Sequence, residues 1–191
     1  DLLLLDILMG RGAEGIMLAR KMRKDPRLSG IPTLIITGLR EQIAFLFPGQ
    51  AVHPHLLPVD PTLHWANPPG GTAGRDMRPD FTGQPTPGPY TGPVPIVTHV
   101  HGSAGVGDES DGYAEAWYLP AAKNIPAGYA TEGTWYNFFA GKAAANFGVA
   151  WGPGFAVFQY PNANRASTIW YHDHTLGMTR LNVYAGPAGF Y

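Results

Sequence analysis

The chain has 191 residues, a formal charge of −1 and no cysteine. The missing thiols exclude disulfides, thiolate catalysis and every metal site that draws sulfur from Cys. The charge balance leaves no electrostatic footprint for nucleic acid or an anionic membrane, so neither is expected as a partner. Only 14% of residues are charged, beside 25 Gly and 19 Pro, which is the balance of a loop-rich β protein. No apolar run reaches the roughly 20 residues of a membrane span. The chain opens on Asp1 with no signal-peptide pattern after it, so its start reads as trimmed.

Residues 2–9, "LLLLDILM", form an apolar run of the kind a strand buried on both faces shows. A helix is predicted next. In "EGIMLARKMRKD", Ile16, Leu18, Ala19 and Met22 share one side, and Arg20, Lys21, Arg23 and Lys24 gather toward the C-terminal end favoured by the helix dipole. "IPTLIITG" then reads as a second buried strand, which completes a βαβ unit of about 40 residues. The intervening "GRGAEG", residues 10–15, matches a dinucleotide-binding turn, but the required acid near the end of the next strand is absent before Glu41. A Gly-rich turn is the reading that stands. This segment resembles the middle of a response-regulator receiver domain, with Asp6 at the position of the phosphate-accepting aspartate and Thr37 at that of the switch threonine. The family's Mg²⁺-holding acidic pair and its last-strand lysine have no counterparts here, and phosphoryl transfer needs both.

Beyond about residue 60 the texture turns Gly/Pro-rich, in "NPPGGTAGRDMRPDFTGQPTPGPYTGPVP". Strands are predicted at "PIVTHVHG", "EAWYL", "FAVFQYP", "STIWYHDH" and "LNVYAG", separated by turns, as in a sandwich or barrel. The change of composition puts a boundary between residues 47 and 61, and hence two domains, 1–55 and 56–191.

Two H-x-H pairs carry the chemistry: His99 with His101, and His172 with His174. In a strand, residues i and i+2 face the same way, so each pair projects two imidazoles from one face. Two adjacent strands would gather four. Nitrogen ligands without carboxylate or thiolate suit copper or zinc, and the general affinity order puts Cu²⁺ ahead. His53 and His55 flank a proline in the boundary segment and read as loop residues. His64 reads as packed or hydrogen-bonded beside Trp65.

In "LPVDPTLHWANPP", "YTGPVPIVTHVHG", "ESDGYAEAWYLPA", "NIPAGYA", "AVFQYPN" and "WYHDHTLGMTRLNVYAGPAGFY", residues 56–191 resemble the first cupredoxin domain of bacterial multicopper oxidases, the laccases of spore-coat type. The resemblance implies a mainly β fold: a truncated cupredoxin-like sandwich or barrel, cut at both ends, behind an N-terminal βαβ receiver-like fragment. It implies copper as cofactor, with His99 on the type 2 ion and His101, His172 and His174 on the type 3 pair. Asp111 would be the acid that helps deliver protons to reduced oxygen.

The function so implied is a copper-binding laccase-like oxidoreductase that oxidises phenolic or similar aromatic reductants with O₂ as acceptor. A type 1 copper needs a cysteine thiolate, so this chain cannot supply one. The family's other four cluster histidines come from a last cupredoxin domain, which leaves half a site here. A homo-oligomer that sets two half-sites face to face is the expected remedy, and unpaired edge strands favour association too. Trp117, Trp135, Trp170 and Tyr171 read as sandwich core. The alternatives are a non-catalytic copper-binding fragment and a phospho-receiver module acting through Asp6.

Overall fold

A computed structural model of the chain describes residues 3–6, 21, 24, 33–36, 55–120, 124–186 and 188–191. The chain divides into two compact units, Asp1–Gln50 and Ala51–Tyr191. In the first, β1 (Leu3–Asp6) and β2 (Thr33–Ile36) pair in parallel, with Leu3 against Thr33 and Asp6 against Ile36. Parallel neighbours need a crossover connection, and Lys21 and Lys24 between them are helical and exposed. The rest of the expected helix, the turn at 10–15, Thr37 and His53 lie outside the described residues.

The second unit holds a three-stranded sheet in the order β3 (Thr98–His101), β4 (Trp170–Asp173), β5 (Ala188–Phe190), antiparallel throughout. Around it lie three α-helices, α1 (Gly71–Gly74), α2 (Tyr136–Phe147) and α3 (Thr179–Ala185), with single-turn 3-10 segments at Pro68–Gly70, Asp108–Ser110 and Ala114–Ala116. An antiparallel sheet with few helices is consistent with a mainly β chain. No helix among the described residues is long and apolar enough to cross a membrane.

Two of the five expected strands in this unit form, and three do not. "EAWYL" is a 3-10 turn followed by Tyr118, which bridges both Ile96 and Glu132 as a single rung rather than a ladder. "FAVFQYP" makes one bridge, Gly152 to Phe155, and then runs irregularly. "LNVYAG" is helical, because the turn before it fixes the chain's direction. Gly177 there has φ +68, and a Cβ would come within 2.4 Å of the His64 carbonyl oxygen, so only glycine fits. Thr175 then accepts the amides of Met178 and Thr179. The buried Asn182 closes the arrangement by donating to the Pro95 carbonyl.

Helix α2 was not anticipated. It buries Tyr136, Phe139 and Ala143, a spacing of three and four that belongs to one helical face. Gly148, left-handed at φ 73, ends it by donating its amide to Ala144 O, the usual glycine stop.

Two apolar clusters support the sheet. One gathers Trp65, Tyr90, Val97, Trp117, Leu119 and Met178; the other gathers Ala116, Tyr136, Phe139, Ala143 and Trp151. Each large side chain taken out of water contributes about 1.5–3 kcal/mol. Trp117 is core, as expected, whereas Trp135 is 43% exposed. In β3 the buried Val100 and the exposed His101 sit on opposite faces, and this alternation turns the histidines away from the packed side.

Candidate metal centre

The register of β3 against β4 builds the site. His99 lies directly opposite His172, and His101 opposite Trp170. Directly opposed residues of an antiparallel pair share a face, so His99, His101, Trp170 and His172 project together. His174 follows one residue after β4, and its amide, donated to Val97 O at 2.9 Å, keeps the chain on the line of the strand.

The imidazoles converge. The ring of His99 lies 5.7 Å from that of His101, 5.1 Å from His172 and 4.9 Å from His174, centroid to centroid. Ligand nitrogens of His99, His101 and His172 all fall within 4.8 Å of one another. His172 is buried, His99 half-buried and His101 exposed. The cluster therefore sits at the rim of the packed unit, with one side open.

Two of the rings are oriented by backbone carbonyls. His99 Nδ1 lies 2.5 Å from Asp111 O, and His172 Nδ1 lies 2.7 Å from Asp173 O. A carbonyl can only accept, so each Nδ1 carries the proton and each Nε2 keeps its lone pair for a ligand. The Asp111 carboxylate also approaches His99 Nδ1, at 3.3 Å. Gly112 makes this approach possible. Its φ is +75, and a Cβ there would lie 2.3 Å from Thr98 O, so the Asp111–Gly112 turn can press against β3 only without a side chain.

His172 Nε2 and His101 Nδ1 face each other at 3.4 Å. Two nitrogens on one tetrahedral metal with bonds of about 2.0–2.1 Å would stand roughly 3.3 Å apart, so this spacing fits a shared ion. His174 Nδ1 is buried without a hydrogen-bond partner, a cost that a filled site would relieve. Burial first, and then the neighbouring His99, hold the His174 imidazole below its ordinary pKa; the Gly112 backbone pulls less strongly the other way. The ring therefore stays neutral, as a ligand must be. The donor set, imidazole nitrogen without thiolate, suits copper or zinc.

Behind the histidine face, Asp173 is buried and accepts from Val97 N, Thr175 N and the Thr175 hydroxyl. Burial raises its pKa, and these donors counter the shift. It braces the junction of β3 and β4 from the side opposite the cluster.

The other described histidines stand outside this cluster and meet protein groups. His55 Nδ1 accepts from Leu57 N at 2.9 Å, and its Nε2 meets Asn182 Oδ1 at 3.1 Å. His64 Nε2 lies 2.8 Å from Asp76 O. Of the aromatics assigned to the core, Trp170 instead packs its ring on His172 at 4.3 Å and on His101 at 5.6 Å. Its position two residues before His172 was the available signal, since strand parity already puts both on one face. The Asp173 brace and the need for Gly112 were not anticipated either.

Several characterised proteins share this stretch. A laccase of Bacillus stratosphericus is 36% identical over 139 residues, 72% of this chain and 18% of that protein. A laccase of Bacillus subtilis is 30% identical over 137 residues, again 72% and 18%. A multicopper oxidase of rice, Oryza sativa subsp. japonica, is 34% identical over 137 residues, 72% of this chain and 16% of that protein. Over 72% of its length the chain is similar to laccases and a multicopper oxidase. It spans less than a fifth of the length of these relatives, and no family model matches it. Multicopper oxidase homology implies copper as the metal, and the histidine cluster has the donor chemistry to hold it.

Proposed function

We propose that residues 56–191 form a cupredoxin-like segment that binds copper through His99, His101, His172 and His174 and contributes half of a multinuclear copper site to a laccase-type oxidase. The observation that carries this reading is the pairing of His99 with His172 across β3 and β4. Bound copper would supply one-electron redox chemistry and a place for O₂ to be reduced. The chain's own residues orient ligands and hold protons. The carbonyls of Asp111 and Asp173 aim the rings of His99 and His172, and the Asp111 carboxylate beside His99 is the group for moving protons toward the site.

Phenolic or similar aromatic reductants are the proposed electron source, with O₂ as acceptor. The absence of Cys means that this chain offers no thiolate copper site. Reductant would then deliver electrons directly at the histidine-bound copper, or through a site on another polypeptide segment. The open side of the cluster, marked by the exposed His101, is the place for further histidines, and a second copy of the chain is the proposed source.

The test is copper per chain, measured on the copper-loaded peak of a sizing column with its mass determined. More than one copper per chain in an oligomer supports the shared site, and a strictly monomeric copper-loaded protein overturns the assembly. In the oligomer, replacing His172 and His174 by Ala is expected to abolish copper-dependent oxidation of a phenolic dye. Copper uptake with no dye oxidation would favour the second reading, a copper-binding module without turnover, which the missing thiolate also favours.

A further inference from the structure

The cluster's rings are not all held in the same way. His99 and His172 each have a backbone carbonyl on Nδ1. His101 has none among the described residues: its recorded polar contact is the facing nitrogen of His172, at 3.4 Å. It is also the most exposed of the three, so neither packing from behind nor a carbonyl fixes its ring. Beside the tilted ring of His172 at 5.6 Å and the edge-on ring of His99 at 5.7 Å, the ring stacked on it is that of Trp170. The indole and imidazole planes are within 26° of parallel at 5.6 Å, and the same indole lies 4.3 Å from His172, at 37°.

We infer that Trp170 is the positioning residue for His101, holding its imidazole by ring stacking so that Nδ1 faces His172 Nε2. The inference rests on the proposed copper site and adds to it the element that orients its most exposed ligand. An exposed histidine in a strand otherwise turns about its last side-chain bond with little restraint, since that torsion is broad. A ligand nitrogen that must be found anew at each binding event loses affinity to its own freedom. An indole has the area to restrict that rotation while leaving both imidazole nitrogens uncovered at the ring edge. From the register, Trp170 sits opposite His101 and shares a strand face with His172, so one indole reaches both rings of the 3.4 Å pair.

The test compares Trp170→Leu and Trp170→Phe with the parent in the full 191-residue chain, titrated with Cu²⁺ alone. Leu removes the flat ring; Phe keeps one. Trp170→Leu is expected to bind Cu²⁺ at least about ten-fold more weakly, the usual scale for losing a group that orients a ligand, and to show an altered electron paramagnetic resonance spectrum. Trp170→Phe is expected to restore the parental spectrum and to come within about three-fold of parental affinity. Cu²⁺ should also quench Trp170 emission, read as parent minus Trp170→Phe.

A parent that takes up no Cu²⁺ overturns the metal-site reading itself, and this inference with it. A parent that binds while Trp170→Leu binds equally well with the same spectrum overturns the positioning role alone. Should Trp170→Leu not fold, the Phe variant and the quenching decide. Parental Cu²⁺ binding without loss of Trp170 emission overturns the inference.

Discussion

Two sets of histidines lie within the same unit and differ in what their nitrogens meet. In the boundary segment, protein groups occupy both nitrogens of His55, and His64 Nε2 lies against the Asp76 carbonyl. On the β3–β4 face, protein carbonyls take one nitrogen each of His99 and His172, and the rings gather with His101 so that a nitrogen of each lies within 4.8 Å of the others. A histidine with every nitrogen satisfied is a structural hydrogen-bonding residue. One that is oriented through one nitrogen, open at the other and gathered with further imidazoles, as His99 and His172 are, is arranged as a candidate ligand. Spacing alone gives His53 with His55 the same H-x-H form as the other pairs, so what separates ligand from strut is the partner on the second nitrogen.

The most damaging way to break this distinction is at Gly112. Alanine there must tolerate φ +75 and a contact of 2.3 Å with Thr98 O. The turn has to move off β3, and Asp111 O leaves His99. We expect a loss of about 1–3 kcal/mol in stability from the backbone conformation alone. Copper uptake should fall further than that loss explains, while the region around His55 stays native by amide hydrogen exchange. Undiminished copper affinity in Gly112→Ala would show that Asp111 O does not orient the site.

Next in size is a pair of alanine substitutions. His172→Ala removes a buried imidazole of the proposed copper site and is expected to lower Cu²⁺ affinity at least about 100-fold, the upper end for losing an orienting group and a minimum for a ligand itself. His55→Ala removes hydrogen bonds to Leu57 and Asn182. It should cost about 1–2 kcal/mol, because it strands the buried amide of Asn182, and change Cu²⁺ affinity less than about two-fold. Isothermal titration and denaturant melts separate the two readouts. Equal losses of affinity would erase the distinction between open and closed histidines.

How much of this was legible in the sequence follows the same physical line. Strand parity is local, so the two H-x-H pairs and the shared face of each were readable, as was the identity of β3 and β4. The pairing of His99 with His172 is not local; it depends on a register that the Asp173 carboxylate, holding Val97 N, and the Gly112 turn against Thr98 help to fix. Helix α2 was legible and overlooked: its Ala-rich run, its apolar spacing and Gly148 all point to a helix with a glycine stop. Helix α3 was not. Val183 and Tyr184 favour strand, and the turn through Gly177 overrides them by contact with His64 and Trp65. "FAVFQYP" is rich in the aromatic and β-branched residues that favour a strand, but among the described residues it pairs with no neighbour beyond a single bridge, and propensity cannot supply a partner.

Asp173 offers a smaller and sharper test, because it supports the site without facing it. Its carboxylate is buried behind the sheet and accepts from Val97 N and Thr175. Asp173→Asn keeps the shape but turns an acceptor into a donor against Val97 N or Thr175, at a cost of about 1–3 kcal/mol. If the brace acts only through register, a folded Asp173→Asn protein should bind Cu²⁺ within about three-fold of the parent, with an unchanged spectrum. A changed spectrum would mean that the back of the sheet helps to set ligand geometry.

The smallest effect belongs to a carboxylate of the opposite kind. Asp108 is exposed and pairs with Lys142 of α2, and this ammonium, through its hydrogen bond, lowers the Asp108 pKa below its ordinary value of 3.8. A carboxylate whose folded pKa is depressed contributes its full stability above the unfolded pKa and loses it as pH falls through the lower folded pKa. The pair's contribution is therefore fully present at neutral pH, begins to shrink on acidification below about 4 and is gone once pH has fallen through the lower folded value. Solvent screening limits it to less than about 1 kcal/mol. Lys142→Ala should lower stability by no more than that at pH 7, have a smaller effect at pH 3, and leave Cu²⁺ affinity alone, because neither partner touches the histidines. Melts at the two pH values, run with and without 1 M salt, read both the linkage and the screening. A larger loss that persisted in salt would mean that Lys142 supports α2 by packing its stem over Phe138, 5.8 Å below its ammonium, rather than by charge.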